Sequence, residues 1–170
     1  RHLDLIANPS RKAVFKQRSS IINSMRTYLN QNDFIEVETP VLQPIYGGAT
    51  ARPFKTYHNS LDRDLFLRIA DELYLKRLII GGYEKVYEIA KNFRNEGVDK
   101  SHNPEFTMCE FYQAYSDVYD MMDFTEGMIK YIANQIKVSS VEFNSNVIDL
   151  TGKFNQVSFV EELNKALDAD

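Results

Sequence analysis

The stretch KVYEIAKNFRNEGVDKSHNPEFTMCEFYQAY, residues 85–115, decides the fold. It contains two runs with the composition of strands, Lys85–Gly97 and Asn103–Tyr115. A turn-forming segment, Gly97–Ser101, separates them. Two such runs on either side of a turn predict a pair of antiparallel strands.

The alternation of residue types predicts what each face of this pair carries, because successive strand side chains point to opposite sides. In the first strand, Glu88, Asn92, Arg94 and Glu96 share a charged face, whereas Tyr87, Ile89 and Phe93 share an apolar face expected in the core. In the second strand, Phe106, Met108, Glu110 and Tyr112 share one face, and Thr107, Cys109, Phe111 and Tyr115 share the other. If the strands pair, the face with Arg94 and the face with Glu110 form one polar surface, with His102 at its rim.

A surface of this composition can bind a nucleotide beside a small molecule that carries an ammonium group. The Arg94 guanidinium can hold a phosphate or carboxylate through two parallel hydrogen bonds, and Phe106 can stack on a base. The carboxylates can attract a cation. An ordinary hairpin with a solvated face, whose charges pair with one another, fits the pattern equally well. The residue pattern alone leaves both interpretations open.

The composition indicates one folded domain and excludes several classes of protein. The chain has 170 residues, of which 44% are hydrophobic, so it can bury a core and is not a disordered tail. Its apolar runs are far shorter than the roughly 20 residues of a spanning helix, and its first residues lack the features of a secretory signal. The single cysteine, Cys109, excludes an internal disulfide and a cysteine metal cage, which is typical of a cytoplasmic protein. A net charge of −4 argues against binding of polyanions by bulk electrostatics.

Periodicity and capping residues predict the remaining elements. Apolar spacing predicts a long helix from Pro9 to Gln31, with Asn8 as its cap. Pro40 places the strand Phe34–Leu42 at a sheet edge or at an interface. Further strands are expected at Phe54–His58, Leu65–Ile69 and Asn146–Leu150.

Three more helices are predicted along the chain. Asp71 is expected to cap the helix Glu72–Ile80, which Gly81 and Gly82 end. A second helix begins after Asp117, and Ser158 with Glu161 forms a capping box for a last helix that runs towards Asp170. Together the elements predict an α+β fold, in which helices flank an antiparallel sheet.

Several phrases of the sequence resemble the class II aminoacyl-tRNA synthetases. FRNEG followed by HNPEF resembles their second signature, and the long helix with FIEVETPVL resembles the first, which builds the dimer interface around Pro40. RHLDLI, GGATARPF, LRIADELYLKRLIIGG and NPEFTMCEFYQAY are similar to the lysine-specific members. The resemblance is strong from residue 1 to about residue 136 and faint after it. It implies that residues 1–170 form part of a class II catalytic core.

The resemblance implies a role for each residue of the predicted ATP site. Arg94 is expected to hold the α-phosphate of ATP and the carboxylate of lysine as that carboxylate attacks phosphorus. Glu96 is expected to accept a hydrogen bond from the adenine amino group, and Phe106 to stack on the ring. His102 and Asn103 are expected to reach the outer phosphates. Such a reaction needs positioning and charge neutralisation more than acid-base chemistry.

The resemblance also implies which residues recognise lysine. Glu110 and Tyr112 are expected to meet its ε-ammonium, because an enclosed carboxylate prefers a cationic ligand. Glu72 and the backbone at Gly47 are expected to hold its α-amino group. For Glu72 the sequence equally supports a simple role as an acidic residue in the first turn of a helix.

These expectations define a function with two alternatives. The chain is expected to be part of a lysine–tRNA ligase that uses ATP, lysine and tRNA(Lys) in the cytoplasm as a homodimer. The family's third signature, the acidic residues that hold Mg²⁺ and the anticodon-binding barrel are absent from these residues, so the chain is expected to be a piece of the enzyme with little activity alone. The alternatives are a stand-alone synthetase that attaches a lysine-like amino acid to a protein, and a non-catalytic dimerisation or binding module.

Overall fold

A computed structural model describes residues 2–167, and within that range the chain divides into two compact units. One unit comprises the residues up to 28 together with those from 116 onwards, and the other comprises residues 29–115. The helices are α1 (His2–Ala7), α2 (Arg11–Gln31), α3 (Glu72–Ile80), α4 (Val118–Gln135) and α5 (Phe159–Leu167). The strands are β1 (Ile35–Glu36), β2 (Leu42–Gln43), β3 (Lys55–His58), β4 (Arg63–Leu67), β5 (Lys85–Phe93), β6 (Glu105–Gln113), β7 (Ser140–Phe143) and β8 (Asn146–Asp149).

The hairpin β5–β6 is the central element of the unit 29–115. Its strands pair antiparallel from Lys85 opposite Gln113 to Phe93 opposite Glu105, so the predicted pairing is confirmed. β5 ends four residues before the predicted Gly97, because Pro104 opposite Arg94 has no N–H to continue the ladder and Asn95 bonds to another segment. The Arg94 N–H donates to the carbonyl of Pro104, and the Asn95 N–H donates to that of Arg52.

Both faces of β5 are buried in its middle, which corrects the prediction of one charged face and one core face. Tyr87 is buried as expected, but Val86, Glu88 and Asn92 on the opposite face are also buried. Glu88 can be enclosed because Arg68, itself 2% exposed, donates to it over 2.8 Å. Because this ion pair compensates the charge of Glu88, the residue can be buried at a position where strand alternation predicts exposure to solvent.

The predicted strand Phe34–Leu42 is wrong in its length, because only Ile35 and Glu36 form a strand before the chain leaves the sheet. The Thr39 N–H and hydroxyl donate to the Glu88 carboxylate, and the Arg68 N–H donates to the carbonyl of Val41. These hydrogen bonds take the place of the backbone pairing with a neighbouring strand that a longer strand would need. β1 lies at the edge of the sheet β1-β5-β6, as predicted. It pairs with β5 in parallel, so this sheet is mixed rather than wholly antiparallel.

A second sheet, ordered β2-β4-β3, is antiparallel throughout and leads into α3. β4 begins two residues earlier than predicted because Arg63 and Asp64 pair with β3, and it ends two residues earlier because the Arg68 carbonyl accepts from the Phe93 N–H of the other sheet. The bounds of α3 are confirmed. Asp71 occupies its N-cap position, but its side chain makes no capping hydrogen bond, so that part of the prediction is wrong.

The other unit is mainly helical. The sequence pattern does not predict α1, and α2 begins at Arg11 rather than at Pro9. Asp117 caps α4 in a capping box with Asp120. Tyr28 of α2 packs against the rings of Phe124 and Tyr131, which are 5.2 and 5.4 Å away between centroids.

A short hairpin and α5 complete this unit. β7 is not predicted by the sequence pattern, and β8 is one residue shorter than predicted. The Glu161 N–H lies 3.4 Å from the Ser158 hydroxyl at the start of α5, and the predicted end of this helix at Asp170 lies outside the described residues. Across residues 2–167, no helix has the length and apolar character needed to cross a membrane.

Candidate active site

The residues predicted to bind ATP surround one pocket of about 320 Å³ in the unit 29–115. The segment between β5 and β6 supplies most of the wall, and β6 supplies the rest. The pocket is lined by Arg94, Glu96, Gly97, Ser101, His102, Asn103 and Phe106. The structure therefore brings together all five residues of the predicted nucleotide set.

Arg94 and Phe106 form the best-defined contact of this pocket. The Arg94 guanidinium lies over the Phe106 ring, with its central carbon 5.1 Å from the ring centroid. The Nε atom of Arg94 is buried and has no hydrogen-bond partner within residues 2–167. Stacking on the ring fixes the plane of the guanidinium, and the unpaired donor favours an acceptor supplied by a ligand.

A turn at Asp99 holds His102 at the edge of the pocket. The His102 Nδ1 lies 2.7 Å from Asp99 Oδ2, and the N–H groups of Ser101 and His102 both donate to Asp99 Oδ1. The bond from the Ser101 backbone, together with the contact to the His102 ring, lowers the pKa of Asp99 to about 2. Because Nδ1 faces Asp99, the other ring nitrogen, Nε2, is the one available to a ligand.

The two remaining nucleotide-set residues are exposed and loosely held. Glu96 accepts from the Arg52 N–H over 3.4 Å, which leaves its carboxylate free to take another donor. Asn103 is exposed.

The predicted lysine-binding residues of β6 form a hydrogen-bonded pair on the same face of the hairpin as Phe106. Tyr112 donates to Glu110 Oε2 over 3.0 Å, and the backbone N–H of Asp71 donates to Glu110 Oε1 over 3.0 Å. Each oxygen of Glu110 is thus held by one donor and keeps capacity for another. Burial, followed by the neighbouring Glu110 charge, raises the pKa of Tyr112 well above its usual range. The phenol therefore stays a donor to Glu110.

Glu72 and the glycine pair lie at the start of α3. Glu72 forms an ion pair with Lys76 one turn along the helix, at 2.6 Å. Gly48 has a φ of +87°, and a Cβ there would lie 2.8 Å from the Cβ of Glu72. A Cβ on Gly47 would lie 3.0 Å from Leu73. Only glycine therefore fits at Gly48, whereas a small shift of the Leu73 side chain would admit a Cβ at Gly47.

A buried polar network, which the sequence pattern does not predict, lies beneath these residues. Arg68 pairs with Glu88 at 2.8 Å and lies 3.2 Å from Asp71 Oδ1. Asn92 donates to Asp71 Oδ2 over 3.3 Å. The signal that could have revealed it is Arg68 itself, because an arginine inside the apolar run LFLRIA needs a buried acidic partner.

Asp71 is the unusual member of this network. Its side chain is fully buried, and its Oδ1 has no hydrogen bond within the described range although Arg68 is near. The Arg68 Nε–H points instead to the carbonyl of Lys91. Burial raises the pKa of Asp71 to about 6, against the opposing effect of Arg68 and with a further increase from Glu88.

The last two predicted features lie outside these clusters. Pro40 lies between β1 and β2, and its carbonyl accepts from the Gln43 side chain. In the part of the chain that the structure covers, no three His, Cys, Asp or Glu side chains lie close enough together to hold a metal ion. The Mg²⁺ implied by the resemblance therefore finds no ligand set among these described residues.

Comparison with known proteins places this hairpin and its pocket in a family. The family model for the class II tRNA synthetases of the D, K and N group matches residues 1–170. The chain belongs to the class II aminoacyl-tRNA synthetases.

Within that class, the chain is similar to several lysine–tRNA ligases. It is 56% identical to that of Roseiflexus castenholzii over 93% of its own length, and 54% identical to that of Clostridium tetani over 96%. It is 53% identical to that of Staphylococcus aureus over its whole length. These alignments cover 32%, 33% and 34% of the relatives, so the chain spans about a third of their length.

Proposed function

We propose that residues 1–170 are part of the catalytic domain of a lysine–tRNA ligase and carry most of its ATP and lysine contacts. The observation that carries this proposal is the placement of Arg94 over Phe106, in one pocket with Glu96, His102 and Asn103. The Glu110–Tyr112 pair lies on the same face of the same hairpin. The identity of more than half of the residues with lysine–tRNA ligases supports the choice of lysine.

In the proposed reaction, a carboxylate oxygen of lysine bonds to the α-phosphorus of ATP while the bond from that phosphorus to the bridging oxygen breaks. Pyrophosphate leaves with the bonding electrons, and a tRNA hydroxyl later displaces AMP to form the ester. Arg94 bridges the two reacting groups and stabilises the negative charge that develops at phosphorus. Phe106 stacks on adenine, Glu96 accepts from its amino group, and His102 Nε2 and Asn103 contact the outer phosphates.

Lysine is held at both ends in this proposal. Glu110, oriented by Tyr112 and by the Asp71 N–H, receives the ε-ammonium. Glu72 and the Gly47 backbone receive the α-ammonium, for which Glu72 exchanges its Lys76 partner. Enclosing the half-buried Glu110 under a ligand without a cation is costly, so neutral or acidic side chains bind poorly.

Two further parts of the proposal concern the whole protein. We propose a homodimer through α2 and the segment around Pro40, because Val14 and Phe15 of α2 are 64% and 58% exposed. Sedimentation of the protein as a monomer at micromolar concentration would exclude it. We also propose that the protein acts in the cytoplasm, which a single unoxidised cysteine suits. Its recovery only in a membrane or secreted fraction would contradict this.

The experiment that tests the proposal is ATP–pyrophosphate exchange by the full-length protein with lysine, ornithine, β-lysine and arginine. Exchange should depend on lysine and fall by a factor of about a hundred or more in Arg94→Ala, the loss typical of a removed charge-stabilising donor. Arg63→Ala is the matched control, because Arg63 is exposed and does not line the pocket. Unchanged exchange in Arg94→Ala would contradict the assigned role. Exchange driven best by β-lysine would favour the protein-modifying alternative, and no exchange with any amino acid would favour the binding module.

A further inference from the structure

The buried network beneath the proposed lysine site contains more acidic than basic groups. Asp71, Glu88 and Glu110 contribute three carboxylates, and Arg68 is the guanidinium that pairs with two of them. Glu88 is the better compensated of the two partners of Arg68, because it accepts from Arg68 at 2.8 Å and from both the N–H and the hydroxyl of Thr39. Asp71 is left with one long bond from Asn92 at 3.3 Å.

Two acceptor atoms in this network lack donors. Asp71 Oδ1 and Asn92 Oδ1 are buried and without hydrogen bonds within residues 2–167, and both side chains belong to residues that are 0% exposed. An ionised carboxylate in such a place is costly unless a positive charge is near. Arg68 lies 3.2 Å from Asp71 Oδ1, but Glu88 shares its single positive charge, so a second cation at the neighbouring site favours an ionised Asp71 further.

Asp71 is linked directly to the residue that is proposed to receive that cation. Its backbone N–H donates to Glu110 Oε1 over 3.0 Å, and its carboxyl lies within electrostatic reach of the Glu110 carboxylate. We propose that Asp71 is a positioning residue whose side-chain charge rises when an ammonium binds at Glu110 and strengthens the preference of the site for lysine. This inference rests on the proposed function of Glu110.

The surroundings of Asp71 support this coupling and define what else can affect it. The charged and titratable groups that face it are Arg68 from the segment after β4, Glu88 from β5, and Glu110 and Tyr112 from β6. In the free protein, burial and the acidic neighbours raise the pKa of Asp71 to about 6, so its carboxyl is about half protonated at pH 6. When the ammonium of lysine arrives, Asp71 gives its proton to the solvent, and the added negative charge attracts the ligand.

The test measures lysine binding by the full-length protein between pH 5 and 7.5. Calorimetry at pH 6 in two buffers of different ionisation enthalpy should show proton release by the unaltered protein as lysine binds, and the KM for lysine should fall as pH rises. Asp71→Asn should abolish both effects and raise the KM for lysine about tenfold at pH 7, with kcat little changed. Asp64→Asn, which removes an exposed partner of Lys55, should behave like the unaltered protein.

The outcomes separate this inference from the proposed function. If lysine drives no exchange, the proposed function falls and the inference falls with it. If lysine binds and reacts but no proton is released at pH 6, only the inference is overturned. Proton release that persists in Asp71→Asn also overturns it, because the proton then comes from another group. If Asp71→Asn does not fold, the titration of the aspartate carboxyls of the unaltered protein can be followed by carbon-13 NMR. The titration midpoint of one aspartate must then move to lower pH when lysine is added. If no aspartate midpoint moves, the inference is overturned.

Discussion

Glu110 shows how a single carboxylate can be prepared for a cationic ligand. Its two oxygens accept one hydrogen bond each, from Tyr112 and from the Asp71 backbone. These donors fix the orientation of the carboxylate without neutralising its charge. In the proposed site, Glu110 is thus preorganised for an ammonium before any ligand is present.

Glu110→Gln is expected to weaken lysine binding far more than ATP binding. The amide removes the charge and turns an NH₂ group towards a position that now accepts from Tyr112 or Asp71. Losing one partner of an enclosed charged pair costs about 2–5 kcal/mol, or thirtyfold and more in the KM for lysine. Exchange kinetics with lysine and ATP varied separately measure this.

The matched control for this prediction lies in the same strand. Glu105 is 57% exposed and pairs with Lys91, so Glu105→Gln should leave both KM values unchanged. An equal rise in the KM values for lysine and ATP in Glu110→Gln would show that the residue supports the fold rather than the amino acid.

The raised pKa of Asp71 should also make the free energy of unfolding depend on pH. Burial raises its pKa to about 6, above the value of about 3.9 for an unfolded aspartate. The folded state therefore binds this proton more tightly, so the contribution to the free energy of unfolding is fully present below about pH 4 and is lost as pH rises through about 6. The loss reaches at most about 3 kcal/mol, since each pKa unit is worth about 1.4 kcal/mol.

Urea unfolding of the unaltered protein and of Asp71→Asn at pH 4, 5, 6 and 7 measures this loss. The stability of the unaltered protein relative to the variant should decline across that range, because the amide side chain of the variant does not ionise. Parallel curves for the two proteins would contradict a raised pKa at this position. The exposed Asp64→Asn variant should run parallel to the unaltered protein.

At the scale of elements, the loop before β3 packs closely against the start of α3, where we propose that the α-ammonium of lysine binds. Gly48→Ala is expected to destabilise the protein by about 2–4 kcal/mol, combining the strain of a left-handed residue with overpacking against Glu72. Thermal unfolding measures the effect. Gly97→Ala serves as the control for stability, because a Cβ there meets nothing within 4 Å. Equal melting temperatures for the two variants would contradict the close approach of loop and helix.

Elements are predicted well from the sequence where local signals agree. The bounds of α3 follow from its apolar face between Asp71 and Gly81, and the β5–β6 pairing follows from alternation on both sides of one turn. The site residues on this hairpin can be grouped for the same reason.

The errors arise where distant residues decide the outcome. Thr39 leaves its predicted strand for Glu88, which lies 49 positions away in sequence. The Asp71 side chain turns inward from its cap position and accepts from Asn92, 21 positions away, while its backbone N–H donates to Glu110, 39 positions away. Periodicity and capping patterns depend on residues only a few positions apart, so they cannot predict contacts between residues far apart in the sequence.

On the scale of the whole molecule, the nucleotide pocket and its surroundings set a limit on what the 170 residues can do alone. The side chains that line the pocket include one arginine and one histidine as possible cations, and one glutamate of opposite sign. The chain as a whole carries a net charge of −4, so its long-range field does not favour a triphosphate. Stacking and one guanidinium must carry the affinity.

The 170-residue chain by itself is therefore expected to bind ATP with a Kd near 1 mM, equivalent to about −4 kcal/mol, and to form little adenylate. Equilibrium dialysis with labelled ATP measures the binding, and pyrophosphate exchange at equal molar concentration compares the chain with the full-length protein. Phe106→Ala in the isolated chain is the control, because it removes the stacking ring and should abolish the residual binding. Micromolar affinity in the isolated chain, or exchange at the rate of the full-length protein, would show that these residues hold the triphosphate through contacts other than Arg94, His102 and Phe106.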